Sequence, residues 1–389
     1  MRGTSIAPAG THRSHQSPQL RASLLALAAA GLVTGIWAGL TRAGALPAGG
    51  PIDPSAHGVV MVSGFFGALI SLERAVALDR TWAFLAPPAA TIGALGWGVG
   101  LPGAAWWSLG AAGTMTVASV LVWTRQRTLF VAVMAGGAAS WAVAVGVALI
   151  GGSIIAQIPW LAAFLVVTIV GERLELSRLT PPSRWKTPTF VLTLALFLSG
   201  VAAASAGLAG GWRILGAGLV GLAGWLAVFD VARRTIRFGG VTRFIAFCLV
   251  SGYLWLGIAG VWWLSAGDLI GTLQWDGVLH AVFVGFVMSM VFGHVHMVAP
   301  AVLGVEVPYR RWFAAHLILL HVSLAARVVG DVVVSVPLRR WGAIGNAAAI
   351  GVFLVATLAS VILARRRPVA GTDSRRGDRE GSHDLHIDR

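Results

Sequence analysis

Residues 57–78 read HGVVMVSGFFGALISLERAVAL. Apart from the opening His57 and the pair Glu73 and Arg74 near the end, this run has no ionisable side chain. An α-helix of roughly 20 apolar residues is long enough to cross the hydrocarbon core of a bilayer. The run therefore predicts a membrane-spanning helix.

The composition of the whole chain agrees with this prediction. The 389 residues are 57% hydrophobic and only 11% charged, whereas roughly a quarter of the residues in a soluble domain are charged. This composition excludes a soluble globular protein. The net charge of +14 comes from basic residues between apolar runs and in the tails, so we predict no nucleic-acid partner. A single cysteine, Cys248, excludes disulfide frameworks, iron–sulfur clusters and covalently attached haem.

Apolar runs of this kind recur twelve times along the chain, so the sequence predicts an all-α membrane protein, a bundle of about twelve transmembrane helices. The runs cover residues 22–41, 57–78, 82–101, 106–124, 128–150, 154–172, 188–208, 212–230, 243–265, 277–300, 311–331 and 341–363. They form one domain, residues 21–364, between two polar tails, 1–20 and 365–389, which we expect to be disordered.

The basic residues predict the orientation of the bundle. Cytoplasmic loops of membrane proteins carry an excess of Arg and Lys. With twelve spans and both termini cytoplasmic, most of the 29 basic residues lie in cytoplasmic segments. The exceptions are Arg42, Arg213, Arg327, Arg339 and Arg340. We therefore predict a multi-pass protein of the bacterial cytoplasmic (inner) membrane, with the lipid bilayer as its environment.

Six of the ten histidines fall on only three predicted spans, the second, tenth and eleventh. His57 and His280 begin two spans that both run inward from the outer face, so both imidazoles are expected near that face. Two histidines at one depth on separate helices can grip a haem from its opposite sides. The sequence thus predicts haem as a cofactor, with His57 and His280 as its axial ligands.

The other four histidines are expected deeper in the membrane. His294 follows His280 by fourteen residues, which at 1.5 Å per residue places it about 21 Å further in, on nearly the same helix face. His296, His316 and His321 overlap His294 in depth. Neutral imidazoles suit copper or another late metal. We expect a metal site built from His294 and either His316 or His321, completed by water or Glu73.

Charged residues near the span ends have two interpretations each. Glu73, Glu172 and Glu175 lie beside arginines at inner helix ends, where they form interfacial ion pairs or handle protons. Arg327 and Asp331, four residues apart on one helix, are expected to form an ion pair, although Arg327 could instead meet a haem propionate.

At these residues the chain resembles two families. His57-Gly58-Val59-Val60-Met61 and His294-Val295-His296 resemble the haem-ligand motifs of haem-copper oxidase core subunits, but the sixth and seventh spans lack histidines for the copper site of that family. The chain is more similar to NnrS-like membrane proteins. In that family the second helix begins with histidine and the tenth opens with a pattern like His280-Ala281-Val282-Phe283-Val284-Gly285. Gly171-Glu172-Arg173 loosely matches a sixth-helix signature.

The NnrS-like resemblance implies haem, copper and a role in nitric oxide stress. The first functional hypothesis is therefore a haem-binding redox protein that receives electrons from a donor protein. A proton-coupled secondary transporter of the twelve-helix type is the second, and a non-catalytic membrane subunit or assembly factor is the third. Matched imidazoles at one outer depth favour the first. The sequence leaves open whether the protein is an enzyme, and it identifies no catalytic residue.

Overall fold

The computed structural model describes residues 17–47 and 49–365. The described part of the chain is largely helical and contains no strand. Eleven of its helices are long and apolar enough to cross a membrane. The prediction of a helical membrane bundle is therefore confirmed. The remaining residues, which include most of the two predicted tails, lie outside the described part, and the first helix begins at Pro18.

We number the principal helices α1 to α12 in chain order. Their bounds are α1 Pro18–Arg42, α2 Pro54–Leu78, α3 Ala86–Gly98, α4 Ala104–Arg125, α5 Leu129–Leu149, α6 Ile154–Leu176, α7 Lys186–Ser205, α8 Gly211–Phe229, α9 Gly240–Ala266, α10 Leu273–Leu303, α11 Phe313–Val332 and α12 Val336–Arg365. We call the end of the bundle that holds His57 the outer end, following the predicted orientation, and the opposite end the inner end.

The helix α3 is shorter than its neighbours and is not among the eleven long apolar helices. A 3₁₀ helix, Thr81–Leu85, precedes it, and together the two segments extend about 30 Å, the thickness of a hydrocarbon core. At the far end of α3, the Gly98 carbonyl accepts a hydrogen bond from the Asp53 N–H, at the start of α2. Because α3 returns to the end where α2 began, it runs the length of α2, and twelve helices of the described residues traverse the bundle.

Close packing of α1 on α2 rests on three glycines spaced four residues apart. A Cβ atom at Gly31 would lie 3.3 Å from the carbonyl carbon of Gly64, and one at Gly35 would lie 2.7 Å from the Met61 sulfur. One at Gly39 would lie 2.6 Å from Cε1 of His57. Small residues at this spacing let membrane helices approach closely. The glycines of α1 thus set where the start of α2, and with it His57, sits.

Two helices change their winding directly after a histidine. In α2 the residues Val60–Gly67 form a π-helix, and in α10 the residues Ala281–Met288 do the same. The first π segment begins three residues after His57 and the second begins one residue after His280. Such segments are rare in proteins and are found frequently at functional sites.

Candidate functional site

His57 and His280 face each other at the outer end of the bundle. Their ring centres lie 6.1 Å apart, and the two ring planes differ by only 8°. The structure therefore brings together the two histidines that the sequence places at one depth. The two parallel rings come from different helices, and their centres are too far apart for direct stacking contact.

Backbone carbonyls hold both rings in place. Nδ1 of His57 lies 2.7 Å from the Gly35 carbonyl oxygen, and Nδ1 of His280 lies 2.7 Å from the Asp276 carbonyl oxygen. A carbonyl can only accept, so each Nδ1 carries the proton and donates it. Each Nε2 is then a bare lone pair. In metal sites, a histidine ligand is commonly oriented in this way, by donating its other ring N–H to a backbone carbonyl.

A cavity of about 420 Å³ surrounds the two imidazoles. Its volume falls within the range of cofactor and ligand pockets. Five long helices, α1, α2, α6, α10 and α12, supply most of its wall, and the lining is largely apolar, with side chains such as Ile36, Phe66 and Phe283. The site is thus a largely apolar pocket between helices that both imidazoles line.

Three arginines, Arg42, Arg327 and Arg339, line the same cavity. They are three of the five basic residues that depart from the positive-inside pattern. Arg42 is exposed, and within the described residues its guanidinium has no hydrogen-bond or ion-pair partner. Three arginines that the predicted orientation places on the outer side therefore lie together at this cavity. That departure is the signal from which sequence reasoning could have identified Arg42 and Arg339.

The expected ion pair between Arg327 and Asp331 is not formed. Arg327 instead binds Asp276 of α10 at two points, with Nε to Oδ2 at 2.8 Å and Nη2 to Oδ1 at 3.1 Å. Asp331 is completely buried and binds Arg339 of α12. Spacing along the sequence suggests only partners on the same helix, whereas the Arg327–Asp276 and Arg339–Asp331 pairs each join two helices. Sequence reasoning also missed Asp276, although this residue lies one helical turn before His280.

The inner histidines have separate partners. His294 donates from Nδ1 to the Met290 carbonyl and accepts at Nε2 from the guanidinium of Arg173, at 2.9 Å. Arg173 is buried, with 3% of its surface exposed. The structure thus joins His294 to α6, and this hydrogen bond occupies the Nε2 atom that the expected metal site with His316 or His321 would need.

His296 and His316 approach the same aromatic side chains. Both rings contact Phe244 and Phe313, at centre-to-centre distances of 4.8 to 5.8 Å. His296 donates from Nδ1 to the Val307 carbonyl. Within the described part of the chain, its Nε2 and both nitrogens of His316 have no hydrogen-bond partner.

His321 has a different partner, because its Nδ1 accepts a hydrogen bond from the indole of Trp255. Across the residues that the structure describes, no group of three or more His, Cys, Asp or Glu side chains is arranged to hold a metal ion. The four inner histidines therefore do not form one centre.

The acidic residues singled out from the sequence lie at the inner end. Glu73 of α2 and Glu172 of α6 are half-buried and lie close enough to repel one another, with Arg74 near both. Glu175 is exposed. The structure thus groups Glu73 with Glu172, on helices that also carry His57 and Arg173.

Sequence reasoning missed Asp230 at the end of α8, where burial raises the pKa of its carboxyl group. Arg173 and Tyr253 interact with this carboxyl. Because Arg173 also binds His294, the buried arginine of α6 links His294 of α10 to Asp230 at the end of α8. Arg173 itself could have predicted such a partner from the sequence, since a charged residue within an apolar run needs polar partners.

Comparisons with known proteins locate the chain in one family. The family model matches residues 21–362, which contain every helix-forming segment of the bundle except short stretches at its two ends. No curated protein and no solved structure matches the chain. The chain belongs to the family described as a domain of unknown function (DUF8744).

Proposed function

We propose that this membrane protein binds haem between His57 and His280 and works in electron transfer. One observation carries the proposal: two imidazoles with parallel rings, 6.1 Å apart, each held at Nδ1 by a carbonyl. Iron bound to two imidazole nitrogens at about 2 Å separates the ring centres by about 6 Å. The residues present therefore fit a bis-histidine haem iron.

The surroundings of the two histidines support the same ligand. Haem is a large, flat, mostly apolar group with two carboxylates at one edge. The cavity between the helices is apolar, and three arginines lie along it. We assign Arg42 to the carboxylates, because Arg327 and Arg339 already hold Asp276 and Asp331. The carbonyls of Gly35 and Asp276 keep both imidazoles in the tautomer that binds iron.

Two protein ligands to the iron limit the chemistry. Catalytic metal sites keep a coordination position open, and with both His57 and His280 as ligands the protein would leave none for a substrate. Bound in this way, haem supplies one-electron oxidation and reduction. We therefore propose a redox role. Any nitric-oxide-related role would then consist of supplying electrons that the haem receives from a donor protein or a small donor. We place the protein in the inner membrane of a bacterium, with both of its termini cytoplasmic.

The proposal is tested on the detergent-purified protein produced with adequate haem supply. We expect a low-spin haem spectrum and about one haem per chain. His57→Ala and His280→Ala should each abolish or change that spectrum. His321→Ala is the matched control, because its imidazole is also part of the bundle but binds Trp255, and it should leave the spectrum intact. Absence of haem from the wild-type protein, or unchanged spectra in both ligand variants, would contradict the proposal.

Copper is a separate proposal that rests on His296 and His316. Both rings lie against Phe244 and Phe313, and their unpartnered imidazole nitrogens suit copper among the late transition metals. Copper should co-purify with the wild-type protein and be lost in His316→Ala, as measured by elemental analysis. Equal copper content in the two proteins would contradict this assignment without affecting the haem proposal.

A further inference from the structure

Arg173 of α6, Asp230 at the end of α8 and Tyr253 of α9 come together towards the inner end of the bundle. All three are buried, with 3%, 1% and 4% of their surfaces exposed. The phenol of Tyr253 interacts with both the carboxyl group of Asp230 and the guanidinium of Arg173. These three residues therefore form one buried group, which we call the inner polar cluster.

Two members of the inner polar cluster are held by groups outside it. Nη2 of Arg173 donates a hydrogen bond to Nε2 of His294, at 2.9 Å. The Ala232 N–H donates to Oδ1 of Asp230, at 2.7 Å. These bonds fix the two charged groups but leave Nε of the arginine and Oδ2 of the aspartate for other partners.

Three buried atoms of the cluster have no direct hydrogen-bond partner among the residues that the structure describes. They are Nε of Arg173, the hydroxyl oxygen of Tyr253 and Oδ2 of Asp230. One is an N–H donor, one is a carboxylate acceptor, and the hydroxyl both donates and accepts. An internal water molecule typically makes about three hydrogen bonds to buried polar groups of this kind. One water molecule between the three side chains would therefore satisfy all three atoms.

The charges of the cluster favour water over an ion. The Arg173 guanidinium would repel a metal cation, and within the described part of the chain no three metal-ligating side chains come together. The Asp230 carboxylate would repel an anion. A small neutral molecule that both donates and accepts hydrogen bonds meets neither repulsion, and water is such a molecule.

We propose that the inner polar cluster binds a water molecule and takes up one proton from the cytoplasm on Asp230. The proton has a short way to travel, because Asp230 begins the α8–α9 loop, in which Arg233 and Arg234 are exposed. An O–H bond forms at Oδ2, and Arg173 keeps its own protons. The cluster, neutral while Asp230 is ionised, thus gains one positive charge. The bound water changes its hydrogen bonds accordingly and passes the change on to Tyr253.

The surroundings of Asp230 support proton uptake. Burial raises the pKa of its carboxyl group, and the positive charge of Arg173 opposes this effect without cancelling it. The groups that face the carboxyl are Arg173 from α6 and Tyr253 from α9, while His294 from α10 is joined to it only through Arg173. Ionisable groups inside membrane proteins commonly mark proton paths. The site would make the inner half of the bundle responsive to cytoplasmic pH, and it requires no haem.

Infrared difference spectroscopy of the lipid-reconstituted protein, between neutral and mildly acidic pH, detects the proton directly. A carboxylic acid C=O band should appear on acidification and should shift in heavy water, since the site exchanges with solvent. Asp230→Asn should remove a component of this band. Asp268→Asn is the matched control, because the same substitution is made at an exposed carboxylate of the outer end, and it should leave the band unchanged.

Tyr253 gives a second readout, because the chain has only two tyrosines. In a Tyr309→Phe background, the NMR signal of isotope-labelled tyrosine reports Tyr253 alone. Its chemical shift should change with pH through the same midpoint as the infrared band. Asp230→Asn in this background should abolish the change.

Three results would overturn the proposal. They are equal infrared spectra for Asp230→Asn and Asp268→Asn, a band that does not shift in heavy water, and a Tyr253 signal that does not respond to pH. If Asp230→Asn does not fold, the titration of Tyr253 in the Tyr309→Phe protein decides alone. Neither measurement depends on haem, so failure of this proposal is distinguishable from failure of the proposed function.

Discussion

Arg327 on α11 grips the carboxylate of Asp276 on α10 at two points, 2.8 and 3.1 Å, while the backbone carbonyl of the same aspartate holds Nδ1 of His280. Removal of either partner would leave the other charge poorly compensated, with side-chain exposures of only 11% and 22%. The ion pair therefore stabilises the helix turn that carries His280. It also lies beside the proposed haem, with its two charges compensating one another.

Arg327→Gln should lower the haem reduction potential. Loss of the cation leaves the Asp276 carboxylate unpaired, and negative charge near the iron favours the ferric state. A change on the order of tens of millivolts is expected for a partly screened charge at this range. Asp276→Asn should shift the potential upward instead.

Potentiometric titration of the purified variants measures both shifts. Arg340→Gln is the control, because this arginine is exposed and does not line the cavity. Equal potentials in Arg327→Gln and the control would show that the ion pair does not act on the iron.

Gly39→Ala should disturb the first histidine ligand. The added Cβ would lie 2.6 Å from Cε1 and 2.8 Å from Nδ1 of His57, too close for the ring to stay in place. We expect reduced haem content or a changed absorption spectrum. Gly113→Ala, on α4, is the matched control, because a Cβ there meets no atom within 4 Å. A wild-type spectrum in Gly39→Ala would show that haem binding does not depend on the position of the His57 ring, which would contradict this prediction.

His294→Ala should destabilise the protein without removing haem. The substitution leaves Arg173 buried and deprived of its 2.9 Å acceptor, and hydrogen bonds to charged groups contribute about 1.5–3 kcal/mol. His321→Ala loses one neutral hydrogen bond, from Trp255, and should cost about 1 kcal/mol. Thermal unfolding in detergent compares the two. A smaller loss for His294→Ala than for His321→Ala would contradict the role given to Arg173.

Reporter fusions test the predicted orientation. A reporter fused after Arg367 should report the cytoplasmic side, and one inserted at Asp268, in the α9–α10 loop, should report the outer side. The two positions lie on opposite sides because three helices, α10 to α12, separate them. Reporters on the same side would contradict the helix count.

The sequence predicted the outer pair of histidines because the argument needed only the direction of each helix and the position of the residue along it. It could not predict how His294 is oriented relative to His280. That estimate used 100° per residue, but the π segment Ala281–Met288 lies between them and shifts the register by about one residue, or about 100°. Hydrophobic periodicity carries no sign of such a segment.

Partners on other helices were also beyond the sequence. Arg327 reaches Asp276 and Arg173 reaches His294, in both cases between segments far apart in the chain. Spacing along one helix suggested Asp331 for Arg327, since local neighbours are all that spacing can reveal. The outer arginines were visible as exceptions to the positive-inside pattern, yet only the folded cavity shows that Arg42, Arg327 and Arg339 belong together.

Electron paramagnetic resonance of the ferric, detergent-purified protein tests the central claim most directly, because the signal depends on both axial ligands and on the angle between their planes. With His57 and His280 only 8° from parallel, we predict a low-spin ferric haem with a rhombic spectrum. A high-spin signal, a strongly anisotropic low-spin signal typical of perpendicular imidazoles, or no haem signal would contradict the account.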